Sequence, residues 1–251
     1  MLSTGDTAIL VAAGALAGLV GSAGGITTLV SYPALLAVGV PALRANLTNI
    51  VALLACWPGS AATSGPELAG RGRWLARWGL LAAAGGAAGA ALVLSTPAGV
   101  FARVVPFLVA AGSLVLLLAP RLAGHPGWSP RRRRALLAAG LPGASVYNGY
   151  FGAGAGVMVL ALVMVTVDER LPRANALKNV LIGAATASSA IACAASGRVR
   201  WDAAAPLAAG MLIGSMLGPG VARRVPPAVM RWAIGSLGLC LAVLIWLHAG
   251  V

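Results

Sequence analysis

Long apolar runs separated by short polar breaks fill the chain, and the runs are too long for the core of a soluble domain. Six of them, at about 45–64, 75–95, 99–119, 174–196, 203–222 and 228–250, approach the ~20 residues an α-helix needs to cross a hydrocarbon layer of ~30 Å. Two others, 7–40 and 135–167, run for more than 30 residues without an interior charge. As straight helices they would reach ~50 Å. Each carries glycines near its middle, Gly21, Gly24 and Gly25 in the first and Gly149, Gly152, Gly154 and Gly156 in the second. Glycine relaxes the backbone there and lets another chain approach closely. Each long run therefore reads either as one tilted or broken span or as a re-entrant hairpin that turns at its glycines.

Composition agrees with a membrane setting. Of the 251 residues, 59% are hydrophobic and 9% charged, against about 25% charged in ordinary soluble domains. Mean hydropathy is +0.91. These values exclude a soluble globular enzyme, a disordered chain, a disulfide scaffold and a coiled coil. The fold class that remains is an all-α polytopic membrane protein. Cys56, Cys193 and Cys240 lie inside expected spans and read as small buried apolar residues. The acidic start of the chain (Asp6) argues against a cleavable signal peptide.

The net charge of +13, with 17 of 18 cations arginine, raises nucleic acid as a partner. Placement of the cations removes that reading. With eight plain crossings they divide ten against eight between the two sides; with two hairpins and six crossings they divide 14 against four. The second division is what the positive-inside rule requires. Arg44, Arg103, Arg198 and Arg200 then share the outer face, and both termini lie outside the cytoplasm.

The two long elements echo each other. Setting Gly21 on Gly152 brings Gly25 onto Gly156 and Pro41 onto Pro172, and two residues of slippage bring Arg44-Ala45-Asn46 onto Arg173-Ala174-Asn175. The chain thus divides into a first repeat (1–119), a basic cytoplasmic loop (120–134) and a second repeat (135–251). Three spans per half make the repeats inverted, an architecture that in transporters holds substrate near the midplane. Unwound backbone at that depth needs a cavity or a packed partner to satisfy it.

Polar residues inside the bilayer are costly and therefore informative. Asn46, Thr48 and Asn49 open the second element of half one; Asn175, Lys178 and Asn179 do so in half two. Lys178 is the sole lysine of the chain. It reads as a buried cation for an anion or as a lysine snorkelling to the interface. Half-helices restarting after Gly25 or Gly156 present free N–H groups and a positive dipole end, which suit an anion. Ser22, Thr27 and Thr28 offer hydroxyls beside the first turn, and Tyr147, Asn148 and Tyr150 add polar groups beside the second. The candidate substrate site therefore comprises Gly21, Ser22, Gly24, Gly25, Asn46, Thr48, Asn49, Tyr147, Asn148, Tyr150, Gly152, Gly154, Gly156, Asn175, Lys178 and Asn179. No catalytic residue, metal site or cofactor is expected. Asp6, Glu67, Asp168, Glu169 and Asp202 lie near span ends or loops, and His125 and His248 have no ligand partners, so neither a proton relay nor a metal centre is indicated.

On G-x-x-G-S-A-G-G with A-N-L-T-N in half one, and N-G-Y-F-G-A-G-A-G with N-A-L-K-N in half two, the chain resembles the TauE/SafE sulfite-exporter family of anion permeases. Ser22-Ala23 stand where many relatives repeat glycine. The resemblance implies a multi-pass protein of the bacterial inner (plasma) membrane. It also implies transport, mostly export, of sulfite, an organosulfonate or a small carboxylate, by alternating access around a midplane site. The expected partners are a small anionic substrate and the lipid bilayer, with a homodimer left open and nucleic acid excluded. A non-transporting membrane scaffold or assembly partner is the alternative, and it predicts no polar cavity at the glycine turns.

Overall fold

The computed structural model describes residues 2–58, 64–122 and 129–222, with isolated helical positions between 228 and 247. The expected span at 228–250 falls mostly outside these residues, as do Arg223, Arg224, Arg231, His125 and His248. Among the described residues there are ten helices and no strand: α1 (Thr4–Gly24), α2 (Thr28–Ala37), α3 (Ala42–Leu53), α4 (Gly65–Leu68), α5 (Gly72–Ser95), α6 (Ala98–Leu122), α7 (Pro130–Tyr150), α8 (Ala155–Thr166), α9 (Leu171–Ala195) and α10 (Trp201–Ala222). Three of them, α1, α5 and α9, combine the length and apolar character needed to cross a membrane throughout. The chain is an all-α polytopic membrane protein.

Both long apolar runs are broken at glycine. α1 ends where Gly25 takes φ 79°, and α2 restarts at Thr28. The second break holds two left-handed glycines, Gly152 (φ 80°) and Gly154 (φ 76°), before α8 begins. A side chain at these dihedrals is strained, so the breaks are written into the sequence.

Three expectations change. The run 45–64 is not one continuous helix: α3 ends at Leu53, and Leu54 and Ala55 form a turn. Helix resumes at residues 56–58, which places Pro58 in a first turn, where its missing amide hydrogen is tolerated; in a continuous helix its ring would meet the carbonyl of Leu54 four residues back. The basic segment 120–134 is also not all loop. Ser129 accepts a hydrogen bond from the Arg132 amide, Pro130 stands at the first helical position, and the four arginines 131–134 form the opening turns of α7. Arginine favours helix, and proline is tolerated only in the first turn. Cys193 is buried, but Cys240 is exposed rather than buried.

Close helix packing rests on small residues. Gly14 and Gly18 of α1 face the backbone of Leu207 and Met211, and Gly210 and Gly214 of α10 face Val11 and Ala15. Gly86 of α5 meets Ala185 of α9, and Gly149 of α7 meets Gly86. In a bilayer, where lipid tails are as apolar as leucine, helix association depends on this kind of backbone approach. The outer surface is correspondingly apolar: Leu80, Ile191 and Phe107 are 73%, 70% and 64% exposed.

The course of α7 and α8 is visible in their contacts. A Cβ at Gly140, ten residues before the end of α7, would meet the Leu162 side chain of α8 at 3.1 Å. Arg133, near the start of α7, lies 3.9 Å from Glu169, just past α8. Arg71, at the cap of α5, lies 3.8 Å from Asp168. The α7–α8 element therefore folds back and returns to the end of the bundle from which it started. At the other end, the Arg198 guanidinium donates to the Leu94 carbonyl and the Arg200 amide donates to Thr48 Oγ1.

Candidate functional site

The two glycine breaks meet. A Cβ at Gly25 would lie 2.6 Å from the carbonyl carbon of Gly156, and one at Gly156 would lie 2.5 Å from Cα of Gly25. Only a pair without side chains can approach this closely. Beside the contact lies a cavity of about 60 Å³. Its polar wall includes Ser22, Thr27, Thr28, Asn148, Lys178 and Thr186.

The opening residues of α2 and α8, Thr28 and Gly156, border this cavity. Neither helix has a side-chain cap. Initial N–H groups of a helix lack partners within it, and they carry the positive end of the helix dipole. No carboxylate lines the cavity.

Lys178 is 1% exposed and has no carboxylate within 4 Å among the described residues. Its Nζ donates to the Gly21 carbonyl at 3.4 Å. The snorkelling alternative therefore does not apply, because the ammonium points inward to the break of α1. That carbonyl belongs to the last turn of α1 and also accepts the Gly25 amide at 2.6 Å, and the negative end of the helix dipole favours a cation there. Asn175 and Asn179 donate to the neighbouring Ser22 carbonyl at 3.0 and 3.5 Å. Three α9 side chains thus close the end of α1. Asn46 of α3 does the matching task in the other direction, donating to the Tyr150 carbonyl at the end of α7 at 2.8 Å. In both Asn46 and Asn175 the side-chain oxygen is buried without a partner.

Eight of the sixteen expected site residues line the cavity: Gly21, Ser22, Gly25, Asn148, Gly152, Gly156, Lys178 and Asn179. Asn148 donates to Thr186 Oγ1 at 3.1 Å, which ties α7 to α9 across the wall. Seven of the others are outside the lining, and the surroundings of Gly24 fall outside what the structure describes. Asn46 and Asn175 close the helix ends just described. Asn49 is held by Ser31 and Thr28 of α2, at 2.6 and 3.3 Å. Thr48 accepts the Arg200 amide at 3.1 Å. The Tyr147 hydroxyl sits between the Leu108 and Ala153 carbonyls, at 3.1 and 2.7 Å, and Tyr150 reaches Thr96 at 3.4 Å. Gly154 packs on the backbone of Gly112.

Leu53, Cys56, Trp57, Ile182, Gly183 and Thr186 line the cavity without having been singled out in the sequence. Thr186 was accessible to pattern reasoning, since Lys178, Ile182 and Thr186 recur at four-residue spacing on one face of α9. Cys56 and Trp57 were not, because they lie beyond the turn that ends α3.

The pattern of the family described as sulfite exporter TauE/SafE matches residues 7–245. The chain belongs to this family. It is a multi-pass membrane protein of a transporter family, not an enzyme. The TauE/SafE chain is also similar to a "Probable membrane transporter protein" of Haemophilus influenzae. The two are 28% identical over 220 residues, which cover 84% of this chain and 83% of the relative. No solved structure matches it.

Proposed function

We propose that this TauE/SafE protein is a permease of the bacterial inner membrane that moves sulfite or a similarly small sulfonate or carboxylate anion, in the outward direction. The observation that carries the reading is the cavity in which a buried lysine and two uncapped helix starts converge with no carboxylate among them. A volume of about 60 Å³ compares with roughly 10–15 Å³ for one water, so it suits a few heavy atoms. That size favours sulfite over a bulky organosulfonate. An inside-negative potential favours outward movement of an anion by about 2.3 kcal/mol per charge per 100 mV, so export needs no coupling ion.

Access alternates, in this reading, by motion of one inverted repeat against the other, with the repeats at 1–119 and 135–251. Reciprocal capping supports it, since Asn46 of the first half closes a helix end in the second and Asn175 of the second closes one in the first. The scaffold alternative has no observation in its favour, and the polar cavity runs against it. The deciding measurement is sulfite flux in proteoliposomes under an imposed potential. Flux above protein-free vesicles that grows with a potential opposing anion retention is expected; absence of flux for sulfite and for small sulfonates and carboxylates would overturn the proposal.

A further inference from the structure

The cavity just described is not the site of strongest positive charge. A groove of about 570 Å³ opens where the start of α5, the start of α7 and the end of α8 meet, and Arg71, Arg73, Arg77, Arg133 and Arg134 line it. Asp168 and Glu169 stand beside it and pair with Arg71 and Arg133 at 3.8 and 3.9 Å. Arg73, Arg77 and Arg134 have no carboxylate within 4 Å among the described residues. Such a concentration of guanidiniums in a concave site is repulsive unless an anion joins it.

Two further features describe that anion. The groove wall carries the indoles of Trp74 and Trp78, with the Arg77 guanidinium 5.9 Å from the Trp78 ring centre. Tryptophan with arginine is the pairing found at the membrane–water interface. One helical turn beyond Arg77 on α5, Leu80 and Leu81 are 73% and 36% exposed, so the basic groove runs directly into apolar surface. A free inorganic anion has no use for that continuation, whereas an acyl chain does.

We infer that this groove is a binding site for an anionic phospholipid, its phosphodiester held by Arg73, Arg77 and Arg134 and its chains lying along α5. Guanidinium forks match phosphate oxygens two at a time, and basic pockets between membrane helices recognise such headgroups. A lipid carrying two phosphates fits five arginines better than one carrying a single phosphate. The site is separate from the transport cavity, and the proposal stands whether or not sulfite is the substrate.

Native mass spectrometry of the delipidated full chain with cardiolipin, phosphatidylglycerol or phosphatidylethanolamine tests it. Cardiolipin is expected to bind at least about tenfold more tightly than phosphatidylethanolamine, with phosphatidylglycerol between them. The triple variant R73Q/R77Q/R134Q should lose that preference. The variant R73K/R77K/R134K keeps the charge that orients the chain in the membrane, and should bind several-fold more weakly because lysine lacks the fork. Sulfite or inorganic phosphate at millimolar concentration should leave bound cardiolipin in place. The inference is overturned by equal binding of the three lipids, by a lysine variant that binds like the wild type, or by displacement with inorganic phosphate, which would mark a site for a soluble anion.

Discussion

The two glycine breaks are built on one plan but furnished differently. Each follows a long helix whose final carbonyls are capped from the other half of the chain, through Asn175 at Ser22 and through Asn46 at Tyr150. Beyond the shared asparagine the halves part. Half two continues Leu177-Lys178-Asn179, and both polar side chains line the cavity. Half one continues Leu47-Thr48-Asn49, and both polar side chains turn away from the cavity lining, to the Arg200 amide of the other half and to α2. An asparagine from each half therefore closes a helix end in the other, while the lysine belongs to one half alone. The two breaks share one cavity wall, and its one lysine comes from the second half of the chain.

The largest test of that asymmetry is at Lys178 and Thr48, which follow the closing asparagines. Replacing Lys178 with Ala removes the cavity's one ammonium, and proteoliposome flux of sulfite should fall by about ten- to a hundredfold, the range of a charge-assisted hydrogen bond. Thr48→Val should keep flux within about twofold, since its hydroxyl accepts the Arg200 amide and is not part of the cavity lining. Equal losses at the two positions would erase the distinction between a furnished half and a structural half.

A second, smaller effect separates the meeting of the breaks from left-handed backbone as such. Gly25→Ala places a methyl group against Gly156 as well as straining φ, and should lower stability by about 2–4 kcal/mol, combining strain with overpacking. Gly39 has nearly the same φ, 78°, with nothing within 4 Å, so Gly39→Ala should cost only about 1 kcal/mol. Thermal unfolding in detergent reads both. Similar costs would mean that the contact between the breaks is loose.

The smallest effect concerns the shared element. Asn46→Ala and Asn175→Ala each remove one donor from a helix-end carbonyl, and each should cost about 1–2 kcal/mol by the same measurement. Their likeness is the point: a cost confined to one of them would break the equivalence of the halves.

Much of this was readable in the chain. The apolar runs, the glycines at their centres and the A-N-L-T-N and A-N-A-L-K-N echo identified the elements and the family before any packing was known. The course of α7–α8 was prefigured by the distribution of arginines, and the ion pairs of Arg71 with Asp168 and Arg133 with Glu169 bear it out in the structure. Pattern reasoning was weaker for individual side chains. Tyr147 and Tyr150 lie in the turn of α7 just before the break at Gly152, yet their hydroxyls reach backbone and Thr96 outside the cavity. Sequence proximity to a turn does not say which way a side chain leaves its helix. Nor did it reveal Cys56 and Trp57, which line the cavity beyond the turn that ends α3.

Sequence by itself determined that this is a membrane protein of helices, because no water-soluble arrangement covers 59% hydrophobic residues with 9% charge. It also marked the two glycine breaks, because a left-handed backbone favours glycine, though not the turn at Leu54 and Ala55. Tertiary structure alone decided that the two breaks touch and that Lys178 faces the last carbonyls of α1 from 157 residues away along the chain. Those are long-range contacts, and their geometry follows from how closely small residues let the helices approach, which no local pattern encodes.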